Sequence, residues 1–125
     1  MVWEVIMVSE INWMQRILIG KVNKNLTDFV NIRIDRATPL GNPYVMHREE
    51  QRQEVCDLYA TFLDDVLANE SNKAILDQLQ MILDHLLLGD YVNLQCWCSP
   101  DHCHGEHIRK VLIDVINENG LTPKK

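Results

Sequence analysis

The residues best able to do chemistry are crowded between Cys96 and His107, where the chain reads Cys-Trp-Cys-Ser-Pro-Asp-His-Cys-His-Gly-Glu-His. Three of the four cysteines and three of the five histidines fall in this run. Thiols attack electrophiles and bind soft metals, and imidazoles move protons and ligate the same metals. Three readings stay open. In one, Cys98 or Cys103 is a nucleophile and His104 its acid/base. In another, zinc is the cofactor and draws four tetrahedral ligands from Cys96, Cys98, Cys103, His104 and His107. The Cys-x-Cys-x4-Cys-His spacing is not a common paired knuckle, and no second pair lies elsewhere. In the third, Cys96 is a small buried apolar residue and the histidines cap or solvate a helix start.

A second stretch, Ile34-Asp35-Arg36-Ala37-Thr38-Pro39-Leu40-Gly41-Asn42-Pro43-Tyr44, has two prolines and a glycine within five residues, which forbids regular structure. A stiff polar loop suits ligand recognition: Arg36 can pair with phosphate, Asn42 can read a base edge or ribose, and Gly41 lets backbone approach closely. The bland alternative is a tight connection in which Asn42 bonds its own backbone. Arg52 lies downstream, where it either points at the same ligand or is a solvated helix charge. Cys56 reads as half-buried and inert, and Trp97 as core.

These loops need elements to hold them. Arg16 to Val22 is an apolar run closed by Asn23-Lys24-Asn25, and Val30, Ile32 and Ile34 alternate with polar residues between Phe29 and Asp35. Tyr91 to Cys98 is the third strand candidate, so Cys98 falls at a strand end, and His104 and Gly105 fall at the entrance of a helix. A helix N-terminus offers free N–H groups and positive potential to an anion. One helix is predicted from Val55, Leu58, Tyr59, Phe62, Leu63, Val66 and Leu67. A second runs through Ile75, Leu76, Leu79, Ile82, Leu83 and Leu86, with Ser71 as N-cap and Gly89 as stop. The last carries Ile108, Val111, Leu112, Val115 and Ile116 and stops near Gly120. The order strand, strand, helix, helix, strand, helix predicts a compact single-domain α/β sandwich with a small, at least partly parallel sheet flanked by three helices. Residues 1–13 read as an appendage of unclear structure, and residues 14–125 as the domain.

The whole chain sets further bounds. At 125 residues and 46% hydrophobic composition it can bury a core. A formal net charge of −6 with no basic tract argues against non-specific nucleic-acid binding, which needs Lys and Arg on phosphates. No segment approaches the ~18 consecutive apolar residues of a membrane span, and no secretory signal is visible. Reduced cysteines in a cytoplasmic protein are therefore expected.

Taken in order, Arg36-x4-Gly41-Asn42-Pro43-Tyr44, Arg52 on a helix, and Cys96-Trp97-Cys98-x-Pro100-x2-Cys103-His104-Gly105 resemble a family of short phage and bacterial proteins known as domain of unknown function 4326. The likeness runs from about Met14 to Ile116. An acidic residue, usually Asp, follows the Cys-His-Gly of that family; here it is Glu106. The resemblance implies an α/β fold, a phage setting (host cytoplasm) and a shared pocket, but no reaction.

The sequence thus leads to a pocket shared by the two loops and taking a nucleotide, nucleoside or modified nucleobase. If catalytic, it would hydrolyse or transfer at a glycosidic or phosphate-linked centre. Cys98 or Cys103 would attack, His104 would be the acid/base, and Glu106 would orient it. Arg36 and Arg52 would clamp the anion, with Gly41, Asn42 and Gly105 beside the ligand. Two non-catalytic alternatives stand beside it: a counter-defence protein that sequesters a nucleotide signal or blocks a host protein, and a zinc-stabilised interaction module.

Overall fold

A computed structural model describes residues 11–98 and 101–124. Within them the chain forms α1 (Trp13–Arg16), β1 (Ile17–Lys21), β2 (Val30–Arg33), a 3-10 turn (Glu49–Gln51), α2 (Arg52–Asn69), α3 (Lys73–Leu87), β3 (Val92–Cys96) and α4 (Gly105–Glu118). Residues 1–10 of the expected appendage lie outside the described residues.

The expected α/β architecture is present, and its three strands are wholly parallel in the order β1-β3-β2. Ile17 and Val30 both pair with Val92, and Ile19 and Ile32 both pair with Leu94. The central strand is buried along its whole length. Alternation sends Val92, Leu94 and Cys96 to one face, where they join Tyr59, Leu63, Ile82 and Ile108 in a single core. Asn93 and Gln95 point the other way. Burying them requires partners: Asn93 Nδ2 donates to Asn31 Oδ1 at 2.9 Å and Gln95 Nε2 to Asn25 Oδ1 at 2.7 Å. The β1–β2 connection that supplies Asn25 turns through Asn23 and Asp28 at positive φ, which these short polar residues tolerate.

Several boundaries differ from the sequence reading. Arg16 closes α1 rather than opening β1, and its guanidinium lies over the rings of Trp13 and Tyr91. Helix α3 is capped by Asn72, not Ser71, because the Asn72 carboxamide oxygen accepts from Ile75 N at 3.2 Å. Gly89, at φ 97°, follows its end as expected. The buried stripe of α2 is Cys56, Tyr59, Leu63 and Val66, while Leu58 is exposed. Cys56 is therefore more deeply placed than its sequence context suggests.

Parallel pairing decides where the two chemical loops go. Arg33 pairs with Gln95, so β2 and β3 end side by side, and the chain leaves both at the same edge of the sheet. In open parallel sheets that carboxyl edge is where ligands bind.

Candidate functional site

The loop after β2 is built by folding back on itself. Ile34 N still bonds Gln95 O at 2.9 Å, extending the ladder; then Thr38 N bonds Asp35 O at 2.9 Å and Gly41 N bonds Thr38 O at 3.0 Å. A Cβ on Gly41 would stand 2.5 Å from the Arg36 Cα and 2.6 Å from the Asp35 carbonyl oxygen, so only glycine fits this crossing. Leu40, fully buried, anchors the loop to the core. Its amide donates to Gln78 Oε1 at 2.9 Å and its carbonyl accepts from the Tyr59 hydroxyl at 2.8 Å. Gln78 also donates to the Arg33 carbonyl at 3.0 Å, so one side chain of α3 grips both ends of the turn.

The loop after β3 is held from two sides. Arg52, at the start of α2, donates through Nη1 to the His102 carbonyl at 3.1 Å and is paired with Glu49. That pairing holds both groups charged, raising the Arg52 pKa and lowering that of Glu49. Arg52 and Cys98 border the same cavity, and the nearness of Cys98 adds to the rise in the Arg52 pKa. From the helix side, Glu106 accepts from the Cys103 amide at 3.3 Å and contacts His102 Nδ1 at 2.7 Å. A Cβ on Gly105 would come within 2.9 Å of the Ile34 Cδ1, so glycine lets α4 seat closely against the sheet.

Between these loops lies a cavity of about 440 Å³. Arg36, Asn42, Arg52, Cys98 and His104 all border it, as do Cys96 and Cys103. Gly41, Gly105, Glu106 and His107 do not. Gly41 packs against the backbone of Asp35 and Arg36 and Gly105 against the Ile34 and Cys103 side chains, Glu106 faces His102 rather than His104, and His107 Nε2 meets Asp64 of α2 at 2.8 Å. Among the described residues no group of three or more Cys, His, Asp or Glu side chains is arranged to hold a metal ion.

Each bordering group has a definite state. His104 is buried, and its Nε2 lies 2.6 Å from the Ile34 carbonyl oxygen. A carbonyl only accepts, so Nε2 carries the proton and, in the neutral ring, Nδ1 is the acceptor. Burial lowers the His104 pKa and favours that neutral ring, with the Tyr59 ring packed edge-on at 4.9 Å. Cys103 is buried with its sulfur 3.0 Å from that of Cys96, and that contact, then burial, pushes its thiol well above the ordinary range. Cys98 is half-buried. Arg36 spends two of its five donors on the carbonyls of Asn42 (3.0 Å) and Tyr44 (3.2 Å), and Asn42 Oδ1 accepts from Tyr44 N at 2.9 Å. Both residues therefore brace the loop as well as border the cavity.

Trp97 corrects the sequence reading. It is 53% exposed rather than core, and its indole N–H donates to Asp35 Oδ2 at 2.9 Å. Asp35 also accepts from Arg33, and these bonds hold its carboxyl below the usual carboxylate range. An aromatic ring is thus fixed at the cavity mouth by a carboxylate from the opposite loop. The chain matches the family described as Domain of unknown function (DUF4326) over residues 20–114. It belongs to the DUF4326 family. The DUF4326 match spans both loops and every strand pairing that brings them together. No curated protein and no solved structure matches the chain. Asp35, Trp97, Tyr44 and Cys56 border the cavity too. Of these, Tyr44 and Trp97 stand inside the motifs, whereas Cys56 carries no signal beyond its place next to an apolar stripe. Among the described residues no helix is long and apolar enough to cross a membrane.

Proposed function

We propose that this DUF4326 chain binds a nucleotide, nucleoside or modified nucleobase in the cavity between its two loops and acts on it by hydrolysis or transfer at a glycosidic or phosphate-linked centre. The observation that carries the reading is the convergence of Arg36, Asn42, Trp97, Cys98 and His104 on one space of about 440 Å³. That volume suits a single small ligand. A half-exposed indole held by a hydrogen bond is a stacking surface for a base. Arg36 keeps donors for an anion beyond those that brace its loop.

Within this reading Cys98 is the nucleophile in preference to Cys103, because Cys103 is buried, paired to Cys96 and held as a thiol. His104 is the base, acting through Nδ1 while the Ile34 carbonyl fixes the tautomer. Arg52, bonded to the His102 carbonyl, fixes the loop that carries the nucleophile. Encoded by a phage or a bacterium, such a protein would work in the cytoplasm.

One observation favours a binder instead. His104 is oriented by a backbone carbonyl, and Glu106 is turned to His102, so among the described residues no carboxylate is hydrogen-bonded to the imidazole. A protein that sequesters a nucleotide signal would return its ligand intact. Incubation with a nucleotide and nucleoside panel, followed by mass spectrometry, separates the two. The enzyme reading expects a changed ligand mass with the wild-type chain and none with folded Cys98→Ala or His104→Ala. A retained ligand of unchanged mass supports the binder, and turnover that survives both substitutions overturns the assignment.

A further inference from the structure

All four cysteines of the chain border the same cavity, and none is in a disulfide. They are not equivalent. The Cys56 sulfur contacts the His102 carbonyl at 3.9 Å and Cys98 is half-buried, whereas the Cys96 and Cys103 sulfurs face each other at 3.0 Å. A covalent sulfur–sulfur bond is about 2.05 Å, so a shift of about 1 Å would join the pair. Cys96 ends β3 and Cys103 lies just before α4, so packed elements hold both sulfurs in place. We propose that Cys96 and Cys103 form a redox-active dithiol, a modification site in the cavity wall that a peroxide converts to an intramolecular disulfide.

The chemistry balances with hydrogen peroxide as the oxidant. One thiol of the pair gives up its proton as its sulfur attacks a peroxide oxygen; the O–O bond breaks, the expelled oxygen leaves as water, and a sulfenic acid remains. The other sulfur attacks the sulfenic sulfur, and the oxygen leaves as water. Two thiols and one hydrogen peroxide give one disulfide and two waters; two electrons pass from the sulfurs to the peroxide oxygens. Both sulfurs are buried, at 1% and 2% residue exposure, so the cavity is the route by which a molecule as small as peroxide reaches them. The amide of Gly105, 3.4 Å from the Cys103 sulfur, stabilises negative charge there as the thiolate forms. Because one sulfur sits at each end of the segment carrying Trp97 and Cys98, the bond would tie that wall of the cavity to the sheet and to α4.

The test uses the full chain without any nucleotide, so its outcome is independent of the reading given above. Reduced protein is exposed to hydrogen peroxide, capped with N-ethylmaleimide, digested at low pH and mapped by mass spectrometry. The expected result is two capped cysteines in place of four, a loss of two hydrogens, and a cross-linked peptide pair joining Cys96 to Cys103 that dithiothreitol reverses. A Cys56→Ser/Cys98→Ser chain, which keeps only the pair, should form the same bridge. Four capped cysteines after oxidation, a bridge through Cys56 or Cys98, or failure of the double variant to bridge would each overturn the proposal. So would a stoichiometric metal ion found bound to these sulfurs in the reduced protein.

Discussion

At the residue scale, the most informative group is His104, because it is buried, titratable and committed by one nitrogen to a backbone carbonyl. Its pKa is lowered from the ordinary 6.5, chiefly by burial, with Arg36 adding to the effect and the Ile34 carbonyl and Asp35 opposing it. The linkage has a definite sign. The unfolded chain binds a proton at this site near pH 6.5 while the folded chain resists it, so the unfolded state holds more protons below that pH. Stability from neutral burial is complete above the unfolded value and is lost as pH falls toward the folded one. The urea midpoint of the wild-type chain should therefore decline as pH drops below 6.5. In His104→Gln, which keeps an N–H for the Ile34 carbonyl but cannot titrate, this part of the decline should vanish. A variant whose midpoint still falls in parallel with the wild type would show that burial of this ring is not what the pH dependence reports. Not all of this was legible beforehand. Residue types alone marked His104 and Cys98 as chemical, but only the fold shows that Cys103 is locked to Cys96 and that Glu106 serves His102.

At the element scale, what matters is how two irregular loops acquire fixed shapes. Glycine at 41 is required by backbone: its neighbours at 2.5 and 2.6 Å are the Arg36 Cα and the Asp35 carbonyl, neither of which can step aside. Glycine at 105 is required more weakly, since the nearest atom, at 2.9 Å, is the far end of the Ile34 side chain. Gly41→Ala should therefore be the more damaging change, at or above the ~1–3 kcal/mol typical of overpacking, with Gly105→Ala toward the lower end. Chemical denaturation of the two variants measures the order, and equal or reversed losses would contradict it. The long elements were readable because their signals are local: three-and-four spacing along α2, α3 and α4, and alternation in β2. The errors fell where the deciding interaction is not local. Ser71 and Asn72 are both good capping residues, and only the chain path selects Asn72. The anchoring of the β2 loop by Leu40 and Gln78 links positions 38 residues apart and leaves no periodic trace. Trp97 reads as core from its apolar bulk, but its N–H needs a partner, and Asp35 provides one at the surface edge.

At the scale of the whole molecule, function depends on topology. Two motifs more than fifty residues apart in sequence share one space because β2 and β3 are parallel neighbours and release their loops at a common edge. Parallel strands need long crossovers, and α2 and α3 supply this one. Those helices also contribute Tyr59 behind His104, Arg52 under the cysteine loop and Gln78 under the proline loop. Class and the order of elements from β1 onward follow from the sequence, but the short helix α1 and the strand order do not, and the meeting of the loops rests on strand order. The account stands on that meeting having a purpose. The most direct measurement is amide chemical-shift mapping of the labelled full chain titrated with the tightest ligand from the nucleotide panel. Saturable shifts should appear together in Asp35–Tyr44 and Cys96–His104, with one affinity for both. Shifts confined to one segment, or centred on another face of the sheet, would contradict a common binding site.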